Sequence, residues 1–298
     1  MWSSWVFGYD HRGVNPTDVH HLNCGTMRPF GLPGQDGSGG FFKRGYGVIH
    51  CLLLETGDGL AMVDTGWGMR DCAKPTPAVR QFAHVVQSSL DPEETAITQV
   101  QSLGYSASDV KHIFLTHLHL DHAGGLPDFP LATVHASAEE IHAFLHPSTL
   151  IEWRAYRPEH MAHGPRWQAH DTRASLWFGM EASLPTKIGE IEIVFLPLIG
   201  HTQGHCGVAV QLGQRWLLHC GDAYGYYRQA DPLQPYVHPS GRLMEWLVTA
   251  GFGMPRRHWP VLRDLRQSHT NIVAAFCSHD AHEFAQALED ERGALTTR

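Results

Sequence analysis

A chain of 298 residues, 43% hydrophobic and 17% charged, has the make-up of an ordinary globular protein and is read as one domain over 1–298. Thirty acidic residues against 22 basic ones give a formal charge of −8, which argues against a broad electrostatic grip on nucleic acid or anionic lipid. Six cysteines without a CxxC argue against a disulfide framework or a zinc finger, so buried thiols are expected.

The opening MWSSWVFGYDHRG lacks the basic start, apolar core and small-residue cleavage site of a secretory signal. No apolar run nears the roughly 18 residues that cross a bilayer. The expectation is a cytoplasmic monomer or homodimer acting on a small molecule, with neither nucleic acid nor membrane as partner.

In chain order, YGVIHCLLLETGDGLAMVDTGWG reads as two strands, 46–55 and 60–64, joined by a Gly-Asp-Gly turn and pointing at Asp64. DPEETAITQVQSLGY has Asp91 as N-cap, Pro92 at the first helical position and Glu94 closing a capping box, which predicts a helix over 92–103. A strand at 111–116, another at 131–136 and a helix capped by Ser137 follow. Residues 147–180 show poor periodicity but hold Trp153, Tyr156, Trp167, Trp177 and Phe178, and read as an insertion. Strands resume at 189–198, 206–212 and 215–220, the last two joined through Gly213 and Gln214. A second irregular stretch, 223–268, is rich in tyrosine, tryptophan and arginine. A strand at 271–277 and a helix at 281–290 close the chain. Both irregular stretches are expected to shape a substrate pocket, and the strand-rich halves with outer helices predict an α/β layered sandwich.

The stretch THLHLDHAGG (116–125) puts three histidines and an aspartate into positions 117–122. The chain has 23 histidines, so only clusters with ligand spacing carry weight. In an extended segment His117, His119 and Asp121 share one side while His122 swings round as the loop turns, so one loop faces two metals. Imidazole and carboxylate suit zinc, and also manganese or iron. Further donors follow other predicted strands: His205 in GHTQGHCG, Asp222 in HCGDAYGYY and His279 in FCSHDAHEF.

With HxHxDH at 117–122, HTxGH ending at His205, GD at Asp222, SHD at His279 and VDTG at 63–66, the chain resembles metallo-β-lactamase-fold hydrolases over about 46–290. The resemblance implies a four-layer αββα sandwich of two mixed β-sheets flanked by helices. It implies His117, His119 and His205 on one divalent ion, Asp121, His122 and His279 on a second, and Asp222 bridging both. It places His201 near the site but not on a metal, and Asp64 behind a ligand histidine. The ions, zinc above all, would share a bridging hydroxide, with Asp121 moving the proton. A bridging aspartate points away from β-lactams and toward lactones or carboxylic esters, as in the quorum-quenching acyl-homoserine lactonases, where a tyrosine contacts substrate; Tyr224 and Tyr226 flank that position. Alternatives are a thioester hydrolase similar to glyoxalase II, a phosphotriesterase or phosphodiesterase, and a metal-binding protein without catalysis.

Overall fold

The computed structural model describes residues 19–30, 42–148, 153, 155–237 and 255–296. Six strands lie side by side in chain order: β1 (Val19–Asn23), β2 (His50–Thr56), β3 (Gly59–Val63), β4 (Val110–Phe114), β5 (Thr133–Ser137) and β6 (Arg166–His170). The first two pairings are antiparallel and the other three parallel. A second sheet of β9 (Thr186–Ile188), β10 (Ile191–Pro197), β11 (Cys206–Leu212), β12 (Arg215–His219) and β13 (Val273–Phe276) runs in the order β13-β12-β11-β10-β9. Its β12–β13 pairing is parallel and the rest antiparallel, so both sheets are mixed.

Three apolar clusters define the layers. Leu52, Leu54, Val63 and Phe114 meet Ile191, Ile193, Phe195 and Val208 between the two sheets. The opposite face of the first sheet, with Leu53, Met62, Ile113 and Val134, is covered by α2 (Pro77–Val86), α3 (Ala96–Ser102) and α5 (Ala138–Leu145) through Val79, Val100 and Ala143. The far face of the second sheet packs Leu196, Ala209 and Leu218 against Trp259, Leu262 and Leu265 of α6 (Trp259–Ser268). Alternation along each strand sends one set of side chains to the central seam and the other to the helices. The outcome is the α/β four-layer sandwich. The closing helix, α7 (Ala281–Thr296), sets Phe284 edge-on to His50 at 4.9 Å.

Several elements differ from the expectations. The helix expected over 92–103 is a 3-10 turn at Pro92–Glu94, capped by Asp91, followed by α3 with its own cap at Thr95. Glu94 accepts from the Thr26 amide and hydroxyl, so its carboxylate is spent on the loop after β1 and the expected capping box does not close. The stretch 147–180 contains β6 and a hairpin of β7 (Ser175–Trp177) and β8 (Met180–Ala182); β6 is an edge strand with polar exposed positions, which hid its period. Residues 149–152 and 154 of that stretch, and 238–254 of the second one, lie outside the described residues. The end of the second stretch is α6. Strand β1, α1 (Met69–Ala73) and α2 were not anticipated.

Candidate metal centre

The site forms where strands of both sheets end. Beyond β3 comes Asp64, beyond β4 the run from Thr116 to α4 (Leu120–Ala123), beyond β10 the His201 loop, beyond β12 Asp222, and beyond β13 His279. His117 and His119 sit on extended chain, and His119 is the N-cap of α4. Asp121 and His122 are therefore on a helical turn, so the extended alternation expected of 117–121 stops at His119.

Asp64 is fully buried with φ 55°. A left-handed conformation costs a non-glycine residue about 1–2 kcal/mol, but this carboxylate accepts from the Thr116 amide and hydroxyl, each at 2.8 Å, and contacts His122 Nδ1 at 2.8 Å. Hydrogen bonds to a charged group contribute about 1.5–3 kcal/mol each, so the contacts outweigh the strain. The contact to Nδ1 leaves His122 Nε2 facing the site. His279 is oriented the same way, with Nδ1 on the Val48 carbonyl at 2.8 Å.

Donor atoms converge in three groups, each within 4.8 Å: His117, His119 and His201; His117, His122 and Asp222; and Asp121, His122 and His279. Asp222 Oδ1 lies 3.2 Å from His279 Nε2 and 3.4 Å from His122 Nε2, while Oδ2 lies 3.2 Å from His201 Nε2. Asp121 is 3.7 Å from His279 Nε2 and 3.9 Å from His122 Nε2.

Of the seven expected ligands, His117, His119, Asp121, His122, Asp222 and His279 come together. His205 does not. Its Nδ1 contacts the Leu198 carbonyl at 2.9 Å and its Nε2 accepts the Asp222 amide at 2.8 Å, so both ring nitrogens are occupied. His201, expected near the site but not on a metal, stands in the first donor group, with Nε2 2.9 Å from His119 Nδ1. The motif GHTQGH offers two histidines, and spacing alone does not say which one turns inward. Gly221 lets His205 approach: at φ 55°, a Cβ there would sit 2.5 Å from His205 Nε2.

Of the two tyrosines, Tyr224 has its hydroxyl taken up within the fold. The Tyr224 hydroxyl is 3.1 Å from both oxygens of Glu283 and bonds Arg266, inside the second-sheet core, so it is not free to touch a substrate. Tyr226 is buried, with its ring 4.9 Å from Tyr227 and its amide on Gln229. Sequence reading also passed over Glu140, a buried carboxylate that bonds the loops on both sides of the site. A second acid in SAEE, three places after the cap, was its only signal.

The residues fit a cation. His117 Nε2, His122 Nε2 and Asp222 Oδ1 are buried without a hydrogen-bond partner, an arrangement costing about 1–3 kcal/mol per group unless something else satisfies them. Burial first, then neighbouring imidazoles, hold His117 and His119 well below the usual histidine range, keeping them in the neutral, ligating form. Burial opposes charge on Asp222, but His279, His122 and His201 outweigh it and hold the carboxyl well below its ordinary range. Burial also opposes charge on His122, yet Asp222, Asp121 and Asp64 raise it well above normal: these carboxylates call for positive charge.

A two-sheet αββα sandwich with His and Asp donors gathered at strand ends defines the metallo-hydrolase class. Residues 44–252 match the metallo-beta-lactamase superfamily, and the chain belongs to that superfamily. It is similar to a probable metallo-hydrolase of Mycobacterium tuberculosis, 38% identical over 265 residues, covering 89% of this chain and 81% of that one. An N-acyl homoserine lactonase, AttM, of Rhizobium radiobacter is 25% identical over 164 residues, 55% of this chain and 60% of the relative. Among solved structures, a variant of Bacillus thuringiensis AiiA with N-decanoyl-L-homoserine bound at its active site aligns with a TM-score of 0.62 at 19% identity, over 91% and 96% of the two chains. That likeness is one of fold. Among the described residues no helix is long and apolar enough to cross a membrane.

Proposed function

We propose that this metallo-hydrolase holds two divalent ions, zinc first among them, and opens lactones or cleaves related carboxylic esters of small molecules. The observation that carries the reading is Asp222, whose two oxygens face both halves of the donor cluster. His117, His119 and His201 would hold one ion, Asp121, His122 and His279 the other, with Asp222 between. When bound, the pair supplies Lewis-acid polarisation of a carbonyl and a water acidic enough to attack near neutral pH. Asp64 and the Val48 carbonyl fix the rings of His122 and His279, so those donors need no reorganisation. Asp121, a buried carboxylate beside His279, carries a proton to the departing oxygen. Tyr226 is the remaining candidate for touching substrate.

The AttM relative supports the lactone reading. The glyoxalase-like alternative needs free cations for glutathione, but Arg263 spends two of its nitrogens on the Gln229 carbonyl. Arg266 is tied to Glu283 and the Ala275 carbonyl. The test is metal analysis followed by rates on acyl-homoserine lactones of several chain lengths, S-lactoylglutathione, aryl esters, phosphotriesters and a cephalosporin. The expected result is two ions per chain and lactone opening that stops on chelation and returns with zinc or manganese. Turnover surviving complete metal removal, or metal uptake with no turnover on any of these, would overturn it.

A further inference from the structure

Glu140 lies on α5 and is fully buried. Its Oε1 accepts from the Leu118 amide at 2.9 Å and the Tyr156 hydroxyl at 3.2 Å. Its Oε2 accepts from the Thr202 hydroxyl at 2.6 Å and the Gly204 amide at 3.1 Å. Leu118 stands between His117 and His119, whereas Thr202 and Gly204 follow His201. One carboxylate thus spans the two segments whose histidines form the first donor group. The docking is close on every side. Ser137, which caps α5 by accepting the Glu140 amide, donates its hydroxyl to the Gly204 carbonyl at 2.7 Å. A Cβ on Gly204 would meet the Glu140 amide nitrogen at 2.0 Å. The chain around 156 closes the arrangement, since Tyr156 also forms a backbone bridge with His119.

We propose that Glu140 is a positioning residue that sets the separation between the His117–His119 segment and the His201 loop, and thereby the affinity of that donor group for its cation. This rests on the two-ion reading. The carboxylate is suited to the task because each oxygen takes one backbone amide and one hydroxyl. A glutamine of the same shape presents N–H on one side. A hydroxyl there can rotate to accept, but a backbone amide cannot, so either Leu118 or Gly204 is left facing a donor. One of the two histidine segments is released whichever way the amide turns.

The experiment is stepwise zinc binding to the metal-free full chain, measured against a chromophoric chelator, with thermal melting in parallel. In Glu140→Gln one of the two binding steps is expected to weaken by about 10-fold or more while the other stays at its wild-type value, in the range seen when groups orienting metal ligands are removed. Thr202→Val, which deletes one hydroxyl donor and keeps the carboxylate, is expected to weaken the same step by a few-fold. Wild-type affinities at both steps in Glu140→Gln, or equal weakening of both in proportion to lost melting temperature, would overturn the proposal. If Glu140→Gln does not fold, Thr202→Val decides: selective weakening supports the assignment and unchanged affinities sink it. A wild-type chain that takes up fewer than two ions defeats the functional reading itself, a result distinct from two ions bound with no effect of Glu140.

Discussion

At the scale of single residues, the two histidines of GHTQGH have opposite tasks. His201 points a nitrogen at His119 and Asp222, while His205 spends both nitrogens on backbone groups. Replacing His201 with alanine is expected to remove one ion per chain. His205→Gln is expected to keep both ions, because a glutamine can still accept the Asp222 amide. Metal content after dialysis against a weak chelator separates the two, and loss of one ion from His205→Gln alone would reverse the assignment. The pair also marks where sequence stops being informative. HxHxDH is legible because its donors lie within six positions, and Asp222 and His279 because each follows closely on a strand, in GD and SHD. Choosing between His201 and His205 depends on the path of the 198–206 loop, which is fixed by contacts to Glu140 and Gly221 outside it.

At the scale of elements, nearly continuous apolar strands such as β2, β3 and β10 were readable because both of their faces are buried. Short elements set by tertiary contacts were not: β1 and β6 are edges with polar positions, and α1 is one turn long. The segment after β12 shows the consequence for assigning roles. Tyr224 stands two places from Asp222, yet α6 and α7 close over it with Arg266 and Glu283, making it a strut between helices. Tyr224→Phe is therefore expected to lower stability by about 1.5–3 kcal/mol, the usual net value of a hydrogen bond to a charged group, without a selective rise in KM. Denaturant midpoints and kinetics on the same variant check this; unchanged stability with a raised KM would return the hydroxyl to the substrate.

At the scale of the whole molecule, the seam between the sheets holds imidazoles as well as aliphatic side chains. His112, His135 and His170, on β4, β5 and β6, form a chain of ring contacts at 3.0 Å each, and His135 stacks on Phe114 at 4.2 Å. Burial first, then His170 and His112, pushes His135 down to about 3; burial takes His21, in a separate cluster with His50, down to about 4. A histidine depressed in the folded state binds its proton more readily when unfolded. Its contribution to stability is present above the ordinary value near 6.5 and is lost as pH falls toward the folded value. His135→Phe should therefore flatten the dependence of stability on pH between about 6 and 4, by up to about 1.4 kcal/mol per pH unit. Urea midpoints of the two proteins at several pH values measure the difference, and parallel curves would show that the ring is not the titrating group.

The donors at the centre follow strands of both sheets and span positions 117 to 279 of the polypeptide. His279 follows the last strand, so while a ribosome is still making that part the second donor group lacks one of its three residues. On the two-ion reading, filling of that group is a late event in the life of the molecule, and the seated ions would rivet its first half to its second.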